Sequence, residues 1–208
     1  MDTIYYSGIG SRSISNEMTI LCKNIATLLA GEDWILRSGG AEGADAAFEE
    51  GCDLIQGKKE IYLPWKGFNG NNSSLFSISP EAYSYAKKFH PAYSRLSQGA
   101  VKLIARDTYQ VLGNDLKTPS NIIVYCAETL KTGEVKGGTG QAIRIANHLN
   151  IPTFNILDHS KLNIEEIIML IKGRLKSVMV SLISCNFCFV TRERRDCSYR
   201  CSKANLSW

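Results

Sequence analysis

The sequence has no long apolar run and no segment built like a targeting signal. None of its apolar stretches reaches the roughly 18 to 20 residues that a membrane-spanning helix requires. The first residues, Met1-Asp2-Thr3, carry neither the basic nor the apolar region of a signal peptide. We therefore expect a soluble cytoplasmic protein that does not associate with a membrane.

The main body of the chain also lacks a substantial net charge. The whole chain carries +4, and the segment from Arg174 onward contributes +5 from seven Lys and Arg against Glu193 and Asp196, which leaves −1 for residues 1–173. General attraction for nucleic-acid phosphate must therefore come from the C-terminal segment or from a local cluster.

The 208 residues suit one domain with one core. We expect this domain over residues 1–173 and a basic, cysteine-rich tail over 174–208. Strand-like and helix-like segments alternate along the domain. The predicted strands are 3–7, 34–37, 60–63, 121–126 and 153–156, and the predicted helices are 18–29, 41–55, 80–89, 92–112, 139–149 and 164–171. This succession favours an α/β three-layer sandwich, with a mostly parallel sheet and helices on both faces.

Three glycine-rich turns follow strands at one edge of the predicted sheet: Gly8 to Arg12, Ser38 to Asp45 and Lys136 to Gln141. Parallel sheets bind ligands at the carboxyl ends of their strands. Bare backbone N–H groups and helix N-termini hold phosphate there. Three such turns indicate a nucleotide, or a ligand built from one, more strongly than a single glycine pair would.

Residues of the first two turns have both binding and structural interpretations. Gly8 and Gly10 permit a close backbone approach to a ligand, or they only form a tight turn. Ser11 offers a hydroxyl, and Arg12 reaches a phosphate or ribose or is simply solvated. Asp45 accepts from a sugar hydroxyl or stabilises the start of its helix.

The second and third turns supply the rest of the expected phosphate cradle. Thr139 contacts phosphate, caps its helix, or does both. The remaining cradle residues are Ser38, Gly39, Gly40, Gly137, Gly138 and Gly140.

The segments G-I-G-S-R, S-G-G-A-E-G-A-D, A-R-D-T-Y-Q and K-G-G-T-G-Q-A together resemble the DNA-processing protein A (DprA/Smf) family of the SLOG superfamily. The resemblance spans Ile4 to Ile156 and is strongest to short phage-encoded members, which would place the protein in the host cytoplasm. It implies a Rossmann-like fold, a nucleotide or single-stranded DNA ligand at the strand ends, and a homodimer or higher homo-oligomer. The residues at the family's phosphate-binding positions are Arg12, Ser38, Gly39, Gly40, Ala41, Gly43 and Asp45.

The superfamily also contains the LOG phosphoribohydrolases, whose motif resembles P-G-G-x-G-T-x-x-E. Aligned on that motif, this chain has Lys136 for Pro, Gln141 for Thr and Arg144 for the working Glu. A cation cannot replace that carboxylate, so hydrolysis of an N-glycosidic bond is in doubt. The candidate substitute acids are Glu42, Asp45, Asp107 and Glu134.

Arg106, Asp107 and Gln110 are spaced to share one helix face, which either faces the ligand or forms an intrahelical polar face. Trp65 and Phe68 lie in a polar loop over 64–79, where we expect them to be exposed and available to stack on a base. We find no Ser/His/Asp or Cys/His pairing at a recognisable spacing, and therefore no case for covalent catalysis.

The tail has the ligand count of a structural zinc site, although we expect no required cofactor. The eight residues between the two cysteine pairs make a shorter loop than in common zinc modules, and 181–190 resembles an edge strand. Free or partly oxidised thiols are the default interpretation. The four cysteines are Cys185, Cys188, Cys197 and Cys201.

Three functions follow from this pattern. The first is a protein that binds a nucleotide, a nucleotide-derived signal or a strand end through its phosphate. The second is an N-glycosidase acting on a nucleoside monophosphate, and the third is a single-stranded DNA-binding accessory in recombination.

Overall fold

The computed structural model describes residues 3–190, with side chains through Ser177. Its centre is a sheet of five strands, all parallel, in the order β3-β2-β1-β4-β5. The strands are β1 (Tyr5–Gly10), β2 (Ile35–Ser38), β3 (Lys59–Ile61), β4 (Ile122–Cys126) and β5 (Thr153–Asn155). The predicted parallel sheet is confirmed.

Six α-helices cover the two faces of this sheet within the described residues. They are α1 (Asn16–Gly31), α2 (Ala44–Asp53), α3 (Pro80–Phe89), α4 (Gln98–Leu112), α5 (Gly137–His148) and α6 (Ile164–Val190). Helices α1, α2 and α6 pack on one face, in a core with Tyr6, Leu36 and Phe154. Helices α3, α4 and α5 pack on the other, in a core with Ile9, Ile123 and Tyr125. The predicted three-layer sandwich is therefore confirmed.

Serine side chains fix the starts of several helices. Ser15 Oγ accepts from the Met18 N–H at 3.2 Å and caps α1. Ser79 caps α3. Proline suits the first position of this helix, Pro80, because it has no N–H group that would need an acceptor there. The observed bounds of α3 equal the predicted ones.

Three local expectations are wrong. Residues 181–190 belong to the long helix α6, not to an edge strand. The helix expected to begin at residue 92 begins at Gln98, after a short 3-10 helix over Tyr93–Arg95. Phe68 is buried, in edge-to-face contact with the half-exposed Trp65 at a centroid distance of 5.1 Å.

The C-terminal expectations are largely outside the described residues. Helix α6 continues through residue 173, where the sequence places the domain boundary. Cys185 and Cys188 lie in α6 beyond the described side chains, and Cys197 and Cys201 lie outside the described residues altogether. The separate tail and its zinc site remain predictions. Over residues 3–190, no helix combines the length and apolar character needed to cross a membrane.

Candidate functional site

A cavity opens where the strand order reverses. Strands β1 and β4 are neighbours in the middle of the sheet, and the chain leaves their carboxyl ends toward opposite edges. Open α/β sheets bind ligands in the crevice at such a switch point. Here the crevice is a cavity of about 620 Å³.

The first turn, the third turn and one face of α4 converge on this cavity. The structure thus brings together segments that are about 100 residues apart in the sequence. The predicted site residues that line the cavity are Gly10, Ser11, Arg12, Ala41, Asp45, Arg106, Asp107, Gln110, Gly137, Gly138 and Thr139.

Eight predicted residues do not line the cavity: Gly8, Ser38, Gly39, Gly40, Glu42, Gly43, Glu134 and Gly140. Several of them have structural roles. The buried Ser38 hydroxyl donates to the Gly8 carbonyl at 2.7 Å. Gly8 is itself in β1, where a Cβ would lie 2.7 Å from Leu36 and Phe48 side-chain atoms. The glycines of β1 therefore do not form a loop, because the strand continues to Gly10.

The second turn is filled from inside the protein. A Cβ on Gly39 would lie 1.2 Å from Arg106 Nη1 and 2.4 Å from the side-chain amide of Gln110. Gly39 is bare because side chains of α4 occupy the space beside it. From the second turn and the start of α2, only Ala41 and Asp45 reach the cavity.

A buried ionic network forms the floor of the cavity. Asp45, Arg106 and Asp107 are only 3%, 4% and 4% exposed. Arg106 Nη1 lies 3.7 Å from Asp45 Oδ2, and Arg106 Nε lies 3.3 Å from Asp107 Oδ1. Asp45 also accepts from the Gly10 N–H at 3.1 Å. Two carboxyls thus share one guanidinium.

Gln110 completes this network. With its amide oxygen facing the neighbouring donors, that oxygen accepts from the Gly39 N–H at 2.9 Å and from Arg106 at 3.2 Å. Its nitrogen then donates to Asp107 Oδ1 at 3.1 Å. Asp107 Oδ2 has no hydrogen-bond partner.

Burial is the main influence on both carboxyls, because it penalises their charged forms. It raises the pKa of Asp45, although Arg106 and backbone N–H groups act in the opposite direction. It also raises the pKa of Asp107 to about 7, against the opposing effect of Arg106 and with a further contribution from Asp45. The floor of the cavity therefore contains a carboxyl group that titrates near neutral pH.

The start of α5 is open toward the cavity. The first N–H groups of a helix have no intrahelical acceptor and carry partial positive charge. Lys136, at the cap position, offers these groups no side-chain hydrogen bond, and Gly137, Gly138 and Thr139 all line the cavity. Thr139 is therefore not the cap of α5. By contrast, α1 is capped by Ser15, and α2 carries the Asp45 carboxylate in its first turn.

Two exposed cations stand near these amides. Arg12 lines the cavity from the first turn. Lys136 also lines it and lies 3.0 Å from Glu128. The mouth of the cavity therefore combines backbone donors with exposed positive side chains, which is an arrangement that suits an anion.

One wall of the cavity is apolar. Sequence reasoning missed its α4 residues Ala100, Leu103 and Ile104, although their spacing of three and four positions is typical of one helix face. This wall comprises Leu96, Ala100, Leu103 and Ile104, together with Ile14, Met18 and Leu157 from neighbouring segments.

The remaining sequence candidates lie away from the cavity. Trp65 and Phe68 do not line it. Arg144, which stands at the LOG glutamate position, donates to the Phe89 carbonyl at 2.7 Å and to Gln141 Oε1 at 3.1 Å, so it ties α5 to the end of α3. No group of three or more His, Cys, Asp or Glu in the described part of the chain is arranged to hold a metal ion.

The parallel strand order and the cavity at its switch point define a Rossmann-like α/β protein. No protein-family model matches the chain, and no curated protein matches it. Among solved structures, DNA processing protein A from Helicobacter pylori is similar at 17% identity and a TM-score of 0.51, over 82% of this chain and 81% of that one. The predicted resemblance to that family is thus confirmed at the level of the fold.

Two further solved structures are similar over much of the chain. DNA processing protein A from Streptococcus pneumoniae has 16% identity and a TM-score of 0.47, over 74% of this chain and 50% of that one. The molybdenum cofactor binding protein of Rippkaea orientalis has 15% identity and a TM-score of 0.49, over 83% and 98% of the two chains.

Proposed function

We propose that this protein binds a nucleotide, free or at the end of a strand, through a phosphate placed at the start of α5. The observation that carries the proposal is the convergence of the uncapped α5 amides and Arg12 on one cavity with an apolar wall. A nucleotide has a matching arrangement, with an anionic phosphate at one end and a flat base with apolar faces at the other.

The cavity divides into parts that match the parts of a nucleotide. The amides of Gly138 and Thr139 donate to phosphoryl oxygens, and Arg12 and Lys136 supply positive charge at the mouth. The base packs on the α4 wall around Leu103. A volume of about 620 Å³ is within the usual range of about 300 to 1,000 Å³ for small-molecule sites.

The Helicobacter pylori protein binds single-stranded DNA. A DNA strand is therefore the main alternative to a free nucleotide as the ligand of this cavity. Counterion release makes strand binding steeply salt-dependent, whereas a single phosphate gives a shallow dependence. We expect the shallow dependence, because residues 1–173 sum to −1 and the cavity is lined by Asp45, Asp107 and Glu128 as well as by cations.

A second candidate function is cleavage of the N-glycosidic bond of a nucleoside monophosphate. The observation in its favour is Asp107, a cavity carboxyl whose pKa of about 7 is suited to a general acid. Release of free adenine from AMP, lost in Asp107→Asn, would support this activity.

The binding proposal is tested by calorimetric titration with AMP and with adenosine. We expect AMP to bind more tightly than adenosine, since only AMP carries the phosphate. Arg12→Ala should weaken AMP binding about 10- to 100-fold, the loss of one charge-assisted hydrogen bond of about 1.5 to 3 kcal/mol.

The matched control is Arg95→Ala, because Arg95 is exposed and does not line the cavity. Its affinity for AMP should equal that of the unmodified protein. Equal affinities for AMP and adenosine, or an Arg12→Ala variant that binds AMP normally, would contradict the proposal.

A further inference from the structure

The two oxygens of the Asp107 carboxyl have different surroundings. Oδ1 accepts from the Gln110 amide nitrogen at 3.1 Å and lies 3.3 Å from Arg106 Nε in an ion pair without a hydrogen bond. Oδ2 is buried and has no partner. It lies 3.1 Å from the position that a Cβ on Gly138 would take, and so it is beside the first turn of α5.

This pattern is the one expected of a neutral carboxylic acid. A protonated carboxyl accepts through one oxygen and donates through the other. Oδ1 already accepts, which leaves Oδ2 as the hydroxyl. An ionised Oδ2 would instead be a buried charge without a hydrogen bond, which is strongly unfavourable.

Of the charged groups around Asp107, Asp45 favours the neutral form, whereas Arg106 favours the ionised form but does not outweigh burial. Arg106 is shared with the ionisable Asp45, so ionising both carboxyls leaves an excess negative charge in the floor. Arg12 in the first turn and Arg144 in α5 also favour the ionised form, with smaller effects than Asp45. At the mouth, Lys136 and Glu128 compensate each other.

We propose that Asp107 binds the nucleotide as a neutral acid, its Oδ2–H donating to a phosphoryl oxygen held by the first amides of α5. This inference rests on the proposed function and names the proton donor of the same site. An ionised Asp107 at this position would repel the phosphate, whereas the acid adds a donor to those of Gly138 and Arg12.

Proton-linked binding follows from this arrangement. The bound anion keeps the proton on Asp107, so the protein must take up a proton to bind AMP once the free carboxyl is ionised. The pKa of Asp107 in the free protein is raised to about 7. Affinity should therefore be constant well below pH 7 and fall as pH rises above it, approaching about tenfold per pH unit.

The test is calorimetric titration with AMP at pH 7.0, 8.0 and 9.0. The second phosphate pKa is about 6, so AMP stays nearly fully dianionic over this range. The unmodified protein should lose about tenfold in affinity between pH 8.0 and 9.0. Asp107→Asn should bind AMP with little pH dependence, since its amide Nδ2 donates at every pH.

The matched control is Glu134→Gln, which removes the same formal charge at an exposed residue outside the cavity. It should follow the pH dependence of the unmodified protein. A flat profile in the unmodified protein, or an unchanged slope in Asp107→Asn, would overturn the role of Asp107 while leaving the phosphate site intact. If AMP does not bind at pH 7.0, 8.0 or 9.0, that result would count instead against the proposed function.

A second measurement needs no variant and covers the case in which Asp107→Asn does not fold. Titrating the unmodified protein with AMP at pH 8.0, in two buffers of different ionisation enthalpy, gives the number of protons exchanged. We expect an uptake of nearly one proton per AMP bound. Binding without proton uptake would refute the inference.

Discussion

Gly39→Ala should destabilise the protein strongly, although the change adds one methyl group in a loop. The new Cβ would lie 1.2 Å from Arg106 Nη1 and 2.4 Å from Arg106 Cζ, so the guanidinium must move. Its departure leaves Asp45 and Asp107 buried without their shared cation. Breaking a buried ion pair in this way costs about 3 to 5 kcal/mol.

Urea unfolding at pH 8.0, followed by circular dichroism, measures this cost. With a denaturant slope of about 2 to 3 kcal/mol per molar, the midpoint should fall by about 1 to 2.5 M. The loss should be smaller at pH 5.5, because Asp107, with a pKa of about 7, is then mostly neutral and needs its cation less.

Gly99→Ala is the matched control, since Gly99 lies in α4 and a Cβ there meets no atom within 4 Å. It should raise the free energy of unfolding by up to about 1 kcal/mol, through the helix preference for alanine. If Gly39→Ala instead unfolds at the same urea concentration as the unmodified protein and loses only AMP affinity, Gly39 is part of a ligand cradle and the reasoning fails.

Three further changes test other parts of the structure. The free energy of unfolding of the unmodified protein should fall between pH 5.5 and 8.0, because the folded-state pKa of Asp107 is raised to about 7. The stabilisation by the neutral carboxyl is lost as pH rises from the pKa of the unfolded chain toward 7. In urea titrations, Asp107→Asn should remove most of this fall. Gly8→Ala crowds Leu36 and Phe48 and should cost about 1 to 3 kcal/mol by thermal unfolding, with unchanged AMP affinity of the folded fraction. Ser15→Ala removes the α1 cap and should lower the free energy of unfolding by about 1 kcal/mol.

Local signals in the sequence predicted most of the framework. The helix predicted over 80–89 is α3, and the strand predicted over 121–126 is β4, which is buried along its whole length. The spacing of Arg106, Asp107 and Gln110 correctly placed them on one helix face, and all three line the cavity. Such features depend on neighbouring residues, so they can be read without knowledge of the tertiary structure.

The features that sequence reasoning missed depend on contacts between distant segments. Gly39 looks like a phosphate-binding glycine until Arg106 of α4 is seen beside it. Ser38 looks available until its hydroxyl is found on the Gly8 carbonyl. Phe68 looks exposed in a polar loop but is buried. Glycine and serine patterns do not distinguish space for a ligand from space for another part of the chain.

A crystal structure of the AMP complex tests the central claim most directly. The account predicts phosphoryl oxygens within about 3.2 Å of the backbone nitrogens of Gly138 and Thr139, with the Arg12 guanidinium against the phosphate and the adenine on the α4 wall. A phosphate bound at the turn over 38–40, or anywhere outside the cavity between β1 and β4, would contradict it.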